Sequence, residues 1–256
     1  MDKRDSSGNT PLMCAAKEGH TSAVRGLLRE AAAPSARNLN DETALHLSSR
    51  AGHAETAKEL LCNGSNPNIR DHRGQTPLCV ACRFNHGNVI NILLEYNCDA
   101  NAQDVQTGKT PLHWAVQNDN IDVVMDLLDA GAETNVRDKK WQTPFIQALS
   151  NQKRQIIELL LHAGCNVTST DSSHNTALHI ASQDGQTDLI GLLIDAGIRV
   201  DVKGAHGMTP LMLAAKGGHV SIVHLLVHYG ANVNLMDRER STALMYAILS
   251  NTDKKY

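Results

Sequence analysis

Aromatic residues make up only 3% of this 256-residue chain, with two Trp and two Phe. So few rings cannot build one thick core. The net charge of −3 lacks the basic excess of a general nucleic-acid binder. No apolar run approaches the roughly 18 residues that a membrane span needs. Met1 to Thr10 has no apolar segment and does not read as a secretory leader. The six cysteines (Cys14, Cys62, Cys79, Cys82, Cys98, Cys165) do not recur together. They are expected as free thiols, several of them buried, in a reducing cytoplasmic or nuclear setting. The sequons at Asn63 and Asn166 are then unused.

What the chain has is a period. Threonine recurs at Thr10, Thr43, Thr76, Thr110, Thr143, Thr176, Thr209 and Thr242, in steps of 33 with one of 34. Each opens a related hexapeptide, such as T-P-L-M-C-A at Thr10, T-P-L-H-W-A at Thr110 and T-A-L-H-I-A at Thr176. This period carrying T-P-L-H-x-A resembles the ankyrin repeat family along the full chain. The resemblance implies an all-α ankyrin-repeat solenoid of about eight helix-turn-helix repeats with turn or β-hairpin fingers. It forms one array over residues 1–256, with the last repeat truncated.

The residues of one repeat say why. In Asp71 to Asn101, Gly74 suits a tight turn tip, Thr76 caps a helix and Pro77 takes its first position, where a missing N–H costs nothing. Leu78, Ala81 and Cys82 form a short apolar face, and Asn85 and His86 end the helix. A second helix carries Val89, Ile90, Leu93 and Leu94, and Asn97 ends it where other repeats have Gly64, Gly131, Gly164, Gly197 and Gly230. No unit can bury its apolar faces alone; stacking does so. The exit of the first repeat, Ala31 to Ser35, lacks the glycine and is expected to be irregular. The extra residue of the 34 step lies in Asp104 to Gly108. The eighth repeat keeps a first helix and stops at Asn251 to Tyr256, which reads as a piece of a longer protein.

Motifs with a chemical meaning fail on inspection. Gly108-Lys109-Thr110 lacks the upstream glycine of a phosphate loop, since Gln103 stands there. Cys79 and Cys82 form a lone C-x-x-C, expected to be structural. His224 and His228 share a helix face without the glutamate of a zinc hydrolase motif. No mixed catalytic constellation occurs, so the chain is expected to be no enzyme, with no cofactor and no metal. By the resemblance, histidines at the T-x-L-H place (His46, His113, His179) and between helices (His20, His53, His86, His219) hydrogen-bond the backbone.

Partner contact, by the same resemblance, falls to the turn tips and the exposed ends of the first helices, which line the concave side. From the second to the fifth repeat those places hold Arg50, Arg73, Arg83, Lys109, Lys139 and Lys140 against one acid, Glu42. The acids Glu55, Glu59, Glu95, Asp122, Asp126, Asp129 and Glu158 lie on second helices. The candidate partner-binding residues are therefore Arg50, His72, Arg73, Arg83, Phe84, Lys109, Lys139, Lys140 and Trp141. They suit an acidic or phosphorylated protein segment bound to a monomer. Nucleic acid is the weaker alternative, because the stripe reads as lacking interleaved aromatics for base stacking. Docking for a larger enzyme or channel is the third. Trp141 stands where other tips carry Gly8, Gly74, Gly108 and Gly207. Asn68, Asn101, Asn135 and Asn234, eight residues past a second-helix leucine, match the family's substrates of an intracellular asparaginyl hydroxylase.

Overall fold

The computed structural model describes residues 3–252, the last two by backbone alone. Fifteen α-helices occur among them, and every threonine-led helix starts one residue after its threonine. These first helices are α1 (Pro11–Lys17), α3 (Ala44–Ala51), α5 (Pro77–Arg83), α7 (Pro111–Gln117), α9 (Pro144–Ser150), α11 (Ala177–Gln183), α13 (Pro210–Gly217) and α15 (Ala243–Thr252). The second helices are α2 (Thr21–Arg29), α4 (Ala54–Cys62), α6 (Gly87–Glu95), α8 (Ile121–Asp129), α10 (Arg154–His162), α12 (Thr187–Asp195) and α14 (Val220–His228). The chain divides into two compact units, residues up to Lys139 and residues from Lys140 on.

The helix starts follow from the cap. The hydroxyls of Thr76 and Thr143 accept the amide N–H of Cys79 and Ile146 at 3.3 and 3.2 Å. Such caps contribute about 1 kcal/mol each. Where histidine sits in the motif, its ring enlarges the cap. His46 Nδ1 accepts from the Thr43 amide at 3.2 Å, while Nε2 donates to the Gln75 carbonyl of the next repeat at 3.0 Å. His179 repeats this with Thr176 and Met208. One neutral ring thus ties two repeats together.

Within each unit, like helices stack. In the first unit α1, α3, α5 and α7 pack in series, beside α2, α4, α6 and α8. In the second, α9, α11, α13 and α15 pack in series. The second helices α6, α8, α10 and α12 bury one apolar triplet at i, i+1 and i+4, such as Val89-Ile90-Leu93 in α6 and Leu189-Ile190-Leu193 in α12. Each such side chain contributes roughly 1.5–3 kcal/mol by leaving water.

The fingers are hydrogen-bonded turns; among the described residues the only bridge pair is Thr170 with Thr176. Tips of the first unit join in a ladder: Leu39 N–H donates to Ser7 O, His72 to Asn40, Val105 to Arg73 and Lys139 to Thr107, at 2.8–3.1 Å. The one 34-residue step widens a turn. Gly108 N–H reaches back four residues to Asp104 O, where Gly74 reaches three to Asp71 O. The first repeat's exit is more regular than expected. Ala32 N–H bonds Leu27 O as Ser65 bonds Leu60, because Ala31 accepts a φ of 60° in place of glycine. Of the expected C-terminal stop, residues 253–256 lie outside the described residues.

Candidate partner-binding site

Helices α3, α5 and α7 expose their C-terminal ends on one face of the first unit, and there cations and rings alternate. Arg50 lies 6.0 Å from the Phe84 centroid, and Arg83 lies 5.7 Å from the same ring. Arg83 also stands 5.4 Å from the Trp114 ring, with Lys109 Nζ 4.7 Å from it. Each contact is within range of a cation–π attraction, about 0.5–1 kcal/mol when exposed. The run Arg50–Phe84–Arg83–Trp114–Lys109 thus crosses three repeats. Four of its members are sequence candidates.

Trp114 is the member that sequence reasoning missed. In the sequence it is only the variable letter of T-P-L-H-W-A, whereas its ring lies against Arg83 and Lys109. This overturns the expectation that the basic stripe lacks interleaved aromatics. Trp114 Nε1 is buried and has no hydrogen-bond acceptor among the described residues. An unpaired buried donor costs about 1–3 kcal/mol. Leu47, Val80 and Ile180, at the same motif place, carry no such donor, so fold stability alone does not account for an indole here.

Arg50 is fixed from below. Its guanidinium pairs with Glu42, which is 3% exposed and also accepts from Asn38 Nδ2 at 3.0 Å. Burial pulls the Glu42 carboxyl upward, but the bonds from Asn38 and Arg50 outweigh it and hold it below the usual carboxylate range. Arg83 has only a long bond to Gln75 Oε1, at 3.5 Å, and no carboxylate partner among the ion pairs described. Lys109 Nζ donates to Gln117.

Of the remaining candidates, His72 Nδ1 donates to Asn40 O at 2.8 Å and its Nε2 accepts from Arg73 Nε at 3.3 Å, so the two form one exposed tip. Lys139 donates to the Val105 carbonyl at the last tip of the first unit. Lys140 and Trp141 belong to the second unit; Trp141 is 59% exposed with a φ of 62°. Two of the second-helix acids are compensated in place, Glu59 by Arg25 at 2.8 Å and Glu158 by Arg154 at 2.9 Å.

The asparagine candidates sit in the loops after second helices. Asn68 Oδ1 accepts from the Asp99 amide at 2.8 Å, and Asn101 Oδ1 from the Glu133 amide at 2.7 Å, each bridging to the next repeat. Asn135 and Asn234 are exposed. All six thiols are free. Burial pushes the Cys79 thiol up to about 11 and the Cys82 thiol well above its ordinary value. Among the described residues no group of three or more His, Cys, Asp or Glu could hold a metal ion, and no helix is long and apolar enough to cross a membrane.

Such a stack of capped helix pairs, with a charged face left uncovered, defines a repeat-built binding module. A model of the family "Ankyrin repeats (3 copies)" matches residues 1–71, 50–138, 127–204 and 201–254, and the chain belongs to the ankyrin repeat family. Ankyrin repeats are protein–protein interaction modules. The crystal structure of the ankyrin repeat domain of Bcl-3, described as a unique member of the IkappaB protein family, is similar at a TM-score of 0.77 and 28% identity, covering 87% of this chain and 100% of that one. Shorter stretches resemble the E3 ubiquitin-protein ligase KEG of Arabidopsis thaliana (43% over 49 residues, 19% of this chain) and the palmitoyltransferase ZDHHC13 of Mus musculus (40% over 52 residues, 20% of this chain). The matched stretches span 3% and 8% of those two proteins.

Proposed function

We propose that the chain is a non-catalytic interaction module whose first unit grips an acidic or phosphorylated segment of a partner protein. The observation that carries this reading is the alternation of Arg50, Phe84, Arg83, Trp114 and Lys109. Arginine offers a planar fork that matches carboxylate and phosphate oxygens, and stacking on rings holds that fork in place before the partner arrives. Arg50 is already matched by Glu42, so Arg83 takes the partner's charge, and the tip of His72 and Arg73 takes more of it. On the second unit, Trp141 is a separate candidate for apolar contact with a partner.

The rings themselves favour protein over nucleic acid. Phe84 and Trp114 each have two cations against them, so a base could stack only by displacing one of them. The test is capture on the immobilised chain from a cell extract, with and without nuclease, beside the variant Arg83→Gln/Lys109→Gln. Retained proteins should survive nuclease, carry acidic or phosphorylated segments, and be lost from the variant. Loss on nuclease treatment would favour the nucleic-acid reading instead.

A further inference from the structure

The second unit holds an open polar pocket of about 340 Å³ between the C-terminal ends of α9 and α11 and the finger that runs into α11. Gln142, Ser150, Asp171, Asn175, Gln183 and Asp184 line it, and no cation stands among the described lining residues. By register these are the places that build the cationic run on the first unit. Gln142 stands where Lys109 does, one residue before its threonine. Ser150 and Gln183 stand where Arg50 and Arg83 do, seven residues after it. Asp184 takes the place of Phe84, and Ile180 that of Trp114. The same scaffold positions thus carry the opposite sign.

The acceptors of this pocket are left with capacity to spare. Asp171 Oδ1 accepts from the amides of Ser173 and Asn175, both at 2.8 Å, while Oδ2 has no hydrogen-bond partner among the described residues. Neither Asp171 nor Asp184 belongs to an ion pair among the described residues. Beside them lies Gln186, which is only 8% exposed. Its Nε2 donates to Leu149 O at 3.2 Å and stands 3.5 Å from Asp184 Oδ2. Its Oε1 is buried and has no partner among the described residues. Being on the same amide, that oxygen stands close to the Asp184 carboxylate. An orphaned buried acceptor beside two unpaired carboxylates calls for a donor that these repeats do not supply.

We propose that this pocket receives an arginine side chain of a partner protein. A guanidinium carries five N–H donors in one plane and no acceptor, so it can serve acceptors spread across the pocket. A lysine ammonium is a compact point charge with three donors and serves fewer of them at once. An acidic segment, the partner read for the first unit, is repelled by Asp171 and Asp184. The proposal is independent of the site on the first unit.

Fluorescence anisotropy of a labelled arginine–serine repeat peptide, titrated with the full 256-residue chain, tests it. The same peptide with lysine, or with uncharged citrulline, in place of arginine is the comparison. The arginine peptide should bind ahead of the lysine one, and the citrulline one should not bind. Asp184→Asn, at an exposed position, should weaken the arginine peptide about fivefold, the top of the range for an exposed ion pair. Its circular dichroism spectrum should be unchanged, and so should its binding of a glutamate-rich peptide, which keeps this test apart from that of the first unit. Asp129→Asn, exposed on α8, should leave the arginine peptide's affinity alone and so separates the pocket from general attraction to an acidic chain. On the unmodified chain, the side-chain amide NMR signals of Gln142, Asn175, Gln183 and Gln186 should shift as the arginine peptide binds. No binding of that peptide, equal binding of the lysine or citrulline peptide, an equal loss in Asp129→Asn, or amide signals that stay in place would overturn the proposal.

Discussion

Asn120 Nδ2 donates to Asn85 Oδ1 at 2.7 Å, and this one bond replaces a contact used elsewhere between repeats. At the sister positions a histidine ring lies on a glycine: His86 Nε2 donates to Arg50 O at 2.9 Å, and a Cβ on Gly52 would stand 2.6 Å from its ring. Asn85, with a φ of 62°, has a side chain where Gly52 has none, so the ring opposite had to go. The two positions are one device in two versions. Asn120→His alone should destabilise the chain by about 1–3 kcal/mol through overpacking. Adding Asn85→Gly should recover most of that loss. Urea unfolding of both single variants and the double gives the coupling, expected within the roughly 0.5–3 kcal/mol usual for contacting residues. Additive losses would refute the exchange.

Burial, followed by the opposing bond to Gln75 and the charges of Asp71 and Glu42, leaves the His46 imidazole below its ordinary value of 6.5, and burial does the same to His179. The neutral ring is needed because Nδ1 accepts from the Thr43 amide while Nε2 donates. The unfolded chain therefore binds these protons first as pH falls. Stability should be full above about pH 6.5 and decline as pH drops below it toward the lowered folded value. His46→Met, which copies Met13 and Met212 at the same motif place, should flatten part of that slope in denaturant titrations. An unchanged slope would remove His46 as a contributor.

Much of the fold is legible because each repeat states its own caps. The threonines, Pro77 and its sisters mark every first-helix start and the glycines most second-helix stops, and Asn97, a left-handed stop by its place in the repeat, has a φ of 52°. The site is less legible. Arg50, Phe84, Arg83 and Lys109 follow from register, but Trp114 does not, since a motif letter says nothing about which neighbour its ring meets. A usable signal is rarity: with two Trp and two Phe in the chain, Phe84 and Trp114 in adjacent repeats beside arginine and lysine are worth pairing.

Trp141 stands in a left-handed tip, as do Asp41, His174 and Arg240, where glycine would rest without strain. Trp141→Gly should leave the melting temperature equal or slightly higher. Partner binding should weaken by roughly 2 kcal/mol or more, the usual threshold for an interface anchor. Unfolding of the variant, with affinity per folded molecule intact, would make the residue scaffold.

Asn68 and Asn101 bind loop amides of the next repeat through Oδ1, so modification of their side chains requires the loop to open first. Co-expression with an asparaginyl hydroxylase should therefore label the exposed Asn234 ahead of Asn68 and Asn101. Peptide mass mapping reads the order; no species one oxygen heavier at any of the four would end the idea.

The central claim is that Arg83, held between Phe84 and Trp114, receives an acidic segment. Fluorescence anisotropy of a labelled glutamate-rich peptide, titrated with the chain at low and moderate salt, tests it directly. A phosphoserine peptide and a single-stranded oligonucleotide serve as rival probes. The unmodified chain should bind the acidic or phosphorylated peptide ahead of the oligonucleotide, more weakly as salt rises. Arg83→Gln should lose about tenfold or more, as expected for a charged hydrogen-bond partner, with an unchanged melting temperature. Equal affinity of Arg83→Gln for the peptide, or tighter binding of the oligonucleotide than of either peptide, would contradict the account.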